Sequence, residues 1–123
     1  MDAIKNILIG EDERLFRELL STELGGAGHK VKVVENGKEV LEELKKQKPN
    51  LLILDLIMPV MDGFETLEAI RANDEYKDLK VIVLSALGQQ SDIDHAKELG
   101  ADDFLVKSSL SLNEVVEQIS KHL

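Results

Sequence analysis

The chain has no cysteine among its 123 residues, so it can build neither a disulfide framework nor a thiolate metal site. Positive charge is in deficit: 15 Lys and Arg face 24 Asp and Glu, for a net charge of −9. So acidic a surface argues against nucleic acid as a direct partner of this segment. Met1 is followed by Asp2 rather than by a basic stretch leading into an apolar one. No secretory signal is therefore read, and no apolar run approaches the length of a membrane span. Internal repeats, low-complexity tracts and linkers are missing, and so is any Gly-rich phosphate loop ending in Gly-Lys-Ser/Thr. What is present is 43% hydrophobic and 32% charged residues, the composition of one globular domain with a real core. A soluble, cytoplasmic domain over residues 1–123 is expected, with no output domain.

Five short apolar runs recur, at residues 4–9, 31–34, 51–54, 81–84 and 104–106. Between them lie stripes of helical period. Leu15/Phe16, Leu19/Leu20 and Leu24 form one, stopped by Gly25-Gly26. Val40/Leu41 and Leu44 form another, stopped before Pro49. Phe64, Leu67 and Ile70 give a third; Ile93, Ala96 and Leu99 a fourth, with Gly100 as its C-cap. Leu112, Val115/Val116, Ile119 and Leu123 carry a last helix to the final residue. Asp62 with Glu65 and Ser111 with Glu114 have capping-box spacing, and Asn36 with Glu39 is a weaker version. The alternation predicts an α/β fold of (βα)5 type. Its strands are too uniformly apolar to have a wet face, so a parallel sheet lies between helical layers as a three-layer sandwich. The flavodoxin-like strand order 2-1-3-4-5 satisfies right-handed crossovers with cover on both sides.

Ligands of such sheets sit beyond the carboxyl ends of the strands, where the strand order switches. The polar residues at those ends are Glu11 and Asp12 after the first run, Asp55 after the third, Ser85 after the fourth and Lys107 after the fifth. An acid ending a run as apolar as 51–54 calls for something that stabilises or uses its charge. In the order 2-1-3-4-5, Glu11, Asp12 and Asp55 converge and would raise one another's pKa. A divalent cation resolves that conflict, and all-oxygen ligands favour Mg²⁺. Lys107 and Ser85 suit phosphoryl oxygens, and Asp55 can then attack phosphorus to give an acyl phosphate. Taken singly these residues have plainer uses. Asp12 could cap a helix starting near Glu13, Glu11 and Lys107 could be solvated, and Ser85 could be a loop hydroxyl. His29, His95 and His122 read as ordinary surface residues, and Met58 and Met61 as packing.

The segments "LIGEDE", "LLILDLIMPVMDGFE", "VIVLSA" and "AKELGADDFLVK" resemble the response-regulator receiver domains of two-component signalling, chemotaxis regulators among them, over essentially the whole chain. The resemblance implies a phosphoprotein of a two-component or phosphorelay pathway rather than an enzyme. Asp55 would be the phosphoacceptor, and Asp12 a direct Mg²⁺ ligand. Glu11 would bind the metal directly or through water, and the backbone carbonyl of Ile57 would complete the protein ligands. Ser85 and Lys107 would bind the phosphoryl group, with Ser85 and Phe104 as switch residues of the face formed by the fourth helix, fifth strand and fifth helix. The donor would be a sensor histidine kinase or a histidine phosphotransfer protein. A downstream target protein, or a second copy in a phosphorylation-dependent homodimer, would dock on that face.

The chain departs from the family pattern in three places. Lys107 is followed by Ser108 where the family usually has a proline, commonly in a cis bond, which leaves the conformation of that loop open. Phe104 has no hydroxyl, so any switching must be steric. Ile57 and Leu87, two residues beyond Asp55 and Ser85, are apolar and cannot orient a hydrolytic water, which predicts a long-lived phosphorylated state. A haloacid-dehalogenase-type phosphatase would need a second acid at Ile57, and a flavodoxin would find its phosphate repelled by Glu11-Asp12-Glu13. The runner-up is a phosphorylation-independent receiver-fold scaffold, which would be expected to have lost the acids or the lysine.

Overall fold

A computed structural model describes residues 3–123. Five parallel strands, β1 (Asn6–Gly10), β2 (Lys30–Val34), β3 (Leu51–Leu54), β4 (Lys80–Ser85) and β5 (Asp103–Val106), lie in the order β2-β1-β3-β4-β5. They alternate with helices α1 (Arg14–Gly26), α2 (Gly37–Lys46), α3 (Gly63–Ala72), α4 (Gln90–Glu98) and α5 (Leu112–Ser120). Every residue of β3 is buried, so the central strand needs cover on both faces, and the period-2 pleat divides its side chains. Leu52 and Leu54 join Leu8, Val40, Leu44, Leu67 and Ile70 under α2 and α3. Leu51 and Ile53 join Ile7, Ile9, Leu20, Leu24, Val115 and Ile119 under α1 and α5. Each such fully buried aliphatic side chain contributes roughly 1.5–3 kcal/mol. A third, smaller cluster of Leu56, Val83 and Ala96 lies under α4, with Phe64, Leu87, Ala101 and Phe104 packed against it.

Local signals placed the starts of α2, α3 and α5. Asp62 and Ser111 both close complete capping boxes, at α3 and α5. At α2 the box is half formed. The Asn36 side chain accepts the Glu39 N–H, while the Glu39 carboxylate takes the N–H of Glu35 instead.

Four expectations fail. The first strand begins at Asn6, not at residue 4, because Ile4 lies beyond the sheet and is 65% exposed. The strands do not all lack a wet face: β2 is an edge strand whose Lys30, Lys32 and Val33 are exposed. Gly25 and Gly26 do not stop α1 but form its last residues; the chain turns away at Gly28, whose φ of +97° is open to glycine at little cost. Helix α5 ends at Ser120, short of the final residue. Two short 3₁₀ turns, Asp74–Tyr76 and Lys107–Ser109, add to these elements, the first capped by Asn73, whose side chain accepts the Glu75 N–H.

Candidate functional site

Register sets the site. Gly10 pairs with both Val34 and Leu54, and the ladder extends one step further. The Glu11 N–H donates to Val34 O at 3.0 Å, and the Asp55 N–H to Gly10 O at 2.9 Å. The first residues past β1 and β3 are therefore neighbours, and both are acids. Glu11 and Asp55 are each 2% exposed, whereas Asp12 faces solvent. One carboxylate oxygen from each of Glu11, Asp12 and Asp55 lies within 4.8 Å of the others.

Lys107 reaches this point from the end of β5, two strands away. Its Nζ lies 2.6 Å from Glu11 Oε1, 3.1 Å from Asp55 Oδ2 and 2.9 Å from Glu13 Oε1. The Phe16 ring backs it, with the nitrogen 4.4 Å from the ring centroid. The other Asp55 oxygen, Oδ1, accepts the Ile57 N–H at 3.2 Å, and Glu11 Oε2 accepts the Glu13 N–H at 3.1 Å. Arg17 clamps the acidic loop from behind. Its Nη1 donates to the carbonyls of Glu11 (3.1 Å) and Asp12 (2.7 Å), and its Nη2 pairs with Glu35 at 3.2 Å. Below Asp55, the start of α3 packs so closely that a side-chain carbon on Gly63 would fall 2.6 Å from Leu56 Cα.

The electrostatics follow from that crowding. Burial raises the pKa of Glu11, and the Asp55 carboxyl beside it adds to the rise; contacts with Lys107 and the Glu13 N–H only partly offset it, leaving a value of about 8. Burial alone would lower the Lys107 pKa, but its bonds to Glu11 and Glu13 and the charge of Asp55 outweigh that, so the ammonium is held charged. Three hard oxygen donors, two of them buried and charge-crowded, suit a small divalent cation such as Mg²⁺.

Ser85 is fully buried at the end of β4, and its Oγ accepts the Leu87 N–H at 3.3 Å. Ile57 is half exposed beside Asp55. Phe104 sits half-buried in the small cluster under α4. No peptide bond among the described residues is cis, and Lys107–Ser109 forms a 3₁₀ turn. Asp12 does not cap α1: the N-cap is Glu13, with no side-chain cap bond. Among the histidines, His29 accepts the Lys5 N–H, His95 stacks on Phe64 and His122 pairs with Asp103.

Sequence reasoning missed Glu13, Phe16 and Arg17. A signal existed, since residues three and four after Glu13 lie back over the start of the helix, and Glu13 extends the acidic run Glu11-Asp12.

The response regulator receiver domain family matches residues 7–120. The transcriptional regulatory protein AfsQ1 of Streptomyces coelicolor is 36% identical over 102 residues, covering 83% of this chain and 44% of the relative. The chain spans less than half the length of the curated relatives it matches. Among solved structures, the chemotaxis response regulator CheY4 of Vibrio cholerae superposes with a TM-score of 0.90 at 27% identity, over 98% of this chain and all of that one. The phosphorylated cyanobacterial phytochrome response regulator RcpA gives 0.86 at 28%, over 97% and 91%. Among the described residues no helix is long and apolar enough to cross a membrane. With the strand order, the converged acids and a match over nearly its whole length in agreement, this chain belongs to the response regulator receiver domain family.

Proposed function

We propose that the domain accepts one phosphoryl group on Asp55, with Mg²⁺, and that a partner protein reads the change on the face formed by α4, β5 and α5. The observation that carries this reading is the double hold on Asp55: Lys107 on one carboxylate oxygen and the Ile57 N–H on the other, with two further acids alongside. A carboxylate held at both oxygens is oriented before it reacts, which removes part of the entropic barrier to attack. The donor is a phosphohistidine, on a sensor histidine kinase or a histidine phosphotransfer protein. An Asp55 oxygen forms the O–P bond as the P–N bond breaks, and the departing imidazole nitrogen keeps the electron pair.

Lys107 stabilises negative charge on the phosphoryl oxygens, and the Ser85 hydroxyl adds a donor once it leaves its local turn. Mg²⁺ held by Glu11, Asp12 and Asp55, with the Ile57 carbonyl, supplies neutralisation of the carboxylate and phosphoryl charge. The phosphorylated state of RcpA in its solved structure supports the same use of this fold. Apolar Ile57 and Leu87 beside the site favour slow hydrolysis of the acyl phosphate.

Incubation with a small acyl-phosphate donor and Mg²⁺, followed by intact mass, tests the reading. One added phosphoryl group is expected, lost in Asp55→Asn and when Mg²⁺ is chelated. A wild-type chain that stays unmodified would favour the phosphorylation-independent scaffold, and full labelling of Asp55→Asn would remove Asp55 from the role.

A further inference from the structure

We propose that Glu13 is a positioning residue for phosphoryl acceptance that acts through Lys107, competing with the incoming phosphoryl oxygens for its ammonium. The inference rests on the reading of Asp55 as acceptor and adds a residue to it. An ammonium has three N–H donors, and Lys107 meets three carboxylates, Glu11 at 2.6 Å, Glu13 at 2.9 Å and Asp55 at 3.1 Å. The Phe16 ring lies against the same nitrogen, and the lysine side chain is only 6% exposed. Two of its N–H groups donate to Glu13 and Asp55, and the Glu11 carboxyl lies against the same nitrogen. A phosphoryl oxygen approaching this crowded nitrogen competes with these contacts.

The three contacts are not equivalent. Glu11 and Asp55 belong with Asp12 to the set of acids close enough to share a cation, and Glu13 does not. A cation neutralises the charge of Glu11 and Asp55 and so weakens their pull on the lysine. It leaves the Glu13 contact standing, which makes Glu13 the restraint still in place when the phosphoryl group arrives.

The side chain has little else to do. It is 53% exposed, it makes no cap bond at the start of α1, and the contact that fixes Glu11 comes from the Glu13 backbone N–H, which substitution keeps. Glu13→Gln thus removes the charge and preserves the loop.

The test measures binding of beryllofluoride, a phosphoryl mimic, with saturating Mg²⁺, alongside the NMR resonances of the Lys107 side chain in metal-free protein. Glu13→Gln and Glu13→Ala should each tighten beryllofluoride binding by about threefold, the scale of a half-exposed ion pair. In metal-free protein both should shift the Lys107 ε-methylene signals. In a Lys107→Met background, Glu13→Gln should change nothing. A gain that persists in that background would mean plain charge repulsion and overturn the proposal, as would unmoved Lys107 signals or unchanged binding. If wild-type protein binds no beryllofluoride and takes no phosphoryl label, the acceptor reading itself fails. If it does both and Glu13→Gln is silent, only the role of Glu13 fails.

Discussion

Glu11 shows how a single buried side chain ties the site to pH. Its carboxyl titrates near 4.5 when unfolded and at about 8 in the fold, through burial first and then the neighbouring Asp55. Between those values the folded state binds more protons than the unfolded one, so the contribution of Glu11 to stability falls as pH rises. It is fully present below about 4.5 and lost as pH passes through about 8. The slope reaches at most about 1.4 kcal/mol per pH unit. Denaturant titrations of metal-free protein at several pH values across this window should show the decline, and Glu11→Gln should flatten it. Stability that climbs with pH in the wild type relative to Glu11→Gln would contradict the assignment. The proposed cation binding would run the other way, because ligand carboxylates bind metal deprotonated. The repulsion among these acids was legible in the sequence, since their strand-end positions imply it; the burial that raises Glu11 was not, because only the packing shows it.

At the scale of an element, helix α3 does two things at once. Its capping box pairs Asp62 Oδ1 with the Glu65 N–H at 2.9 Å and Glu65 Oε1 with the Asp62 N–H at 3.3 Å. The next residue, Gly63, donates to Leu56 O at 3.0 Å, immediately after Asp55. The cap therefore starts a helix and also stitches the loop that carries the proposed acceptor, Asp55. Asp62→Ala should cost about 1 kcal/mol, the usual worth of an N-cap, and should speed amide exchange at Gly63. Ser111→Ala, at the equivalent box of α5, should cost a similar amount and leave Gly63 unchanged. Equal exchange at Gly63 in both variants would separate the cap from the loop. Capping boxes were readable from sequence because three-residue spacing is local chemistry. The end of α1 was not, because glycine is tolerated in a last helical turn and the reversal falls to whichever glycine adopts positive φ, here Gly28.

For the whole molecule, the proposed switch requires that an event at Asp55 reach the face of α4, β5 and α5. Leu56 follows Asp55, Leu87 lies two residues past Ser85, and Phe104 lies three before Lys107; all three meet in the small cluster under α4. Each proposed phosphoryl contact thus has a near neighbour in one packed unit, and close packing passes a displacement on rather than absorbing it. Beryllofluoride with Mg²⁺ should therefore shift NMR signals of Phe104, Leu87 and Ala96 together. Phe104→Leu should leave beryllofluoride binding intact but shrink the response along α4. Unmoved cluster signals in the wild type would show that the site and this face are uncoupled.

The sequence by itself determined the alternation of strand and helix, the two-sided cover of β3 and the strand ends where chemistry would sit. All of these rest on hydrophobic period and on short-range turn and cap signals, which act between residues close along the chain. Edge exposure of β2 was beyond it, because whether a strand has a neighbour on each side is a property of the assembled sheet. The tertiary structure alone decided that Lys107 is shared among Glu11, Glu13 and Asp55 against the Phe16 ring. It also decided that Arg17 clamps the carbonyls of the acidic loop. Those contacts join residues as far apart as Glu13 and Lys107, and no local propensity encodes them. They exist because the order β2-β1-β3-β4-β5 gathers the carboxyl ends of β1, β3 and β5 within reach of one long lysine side chain.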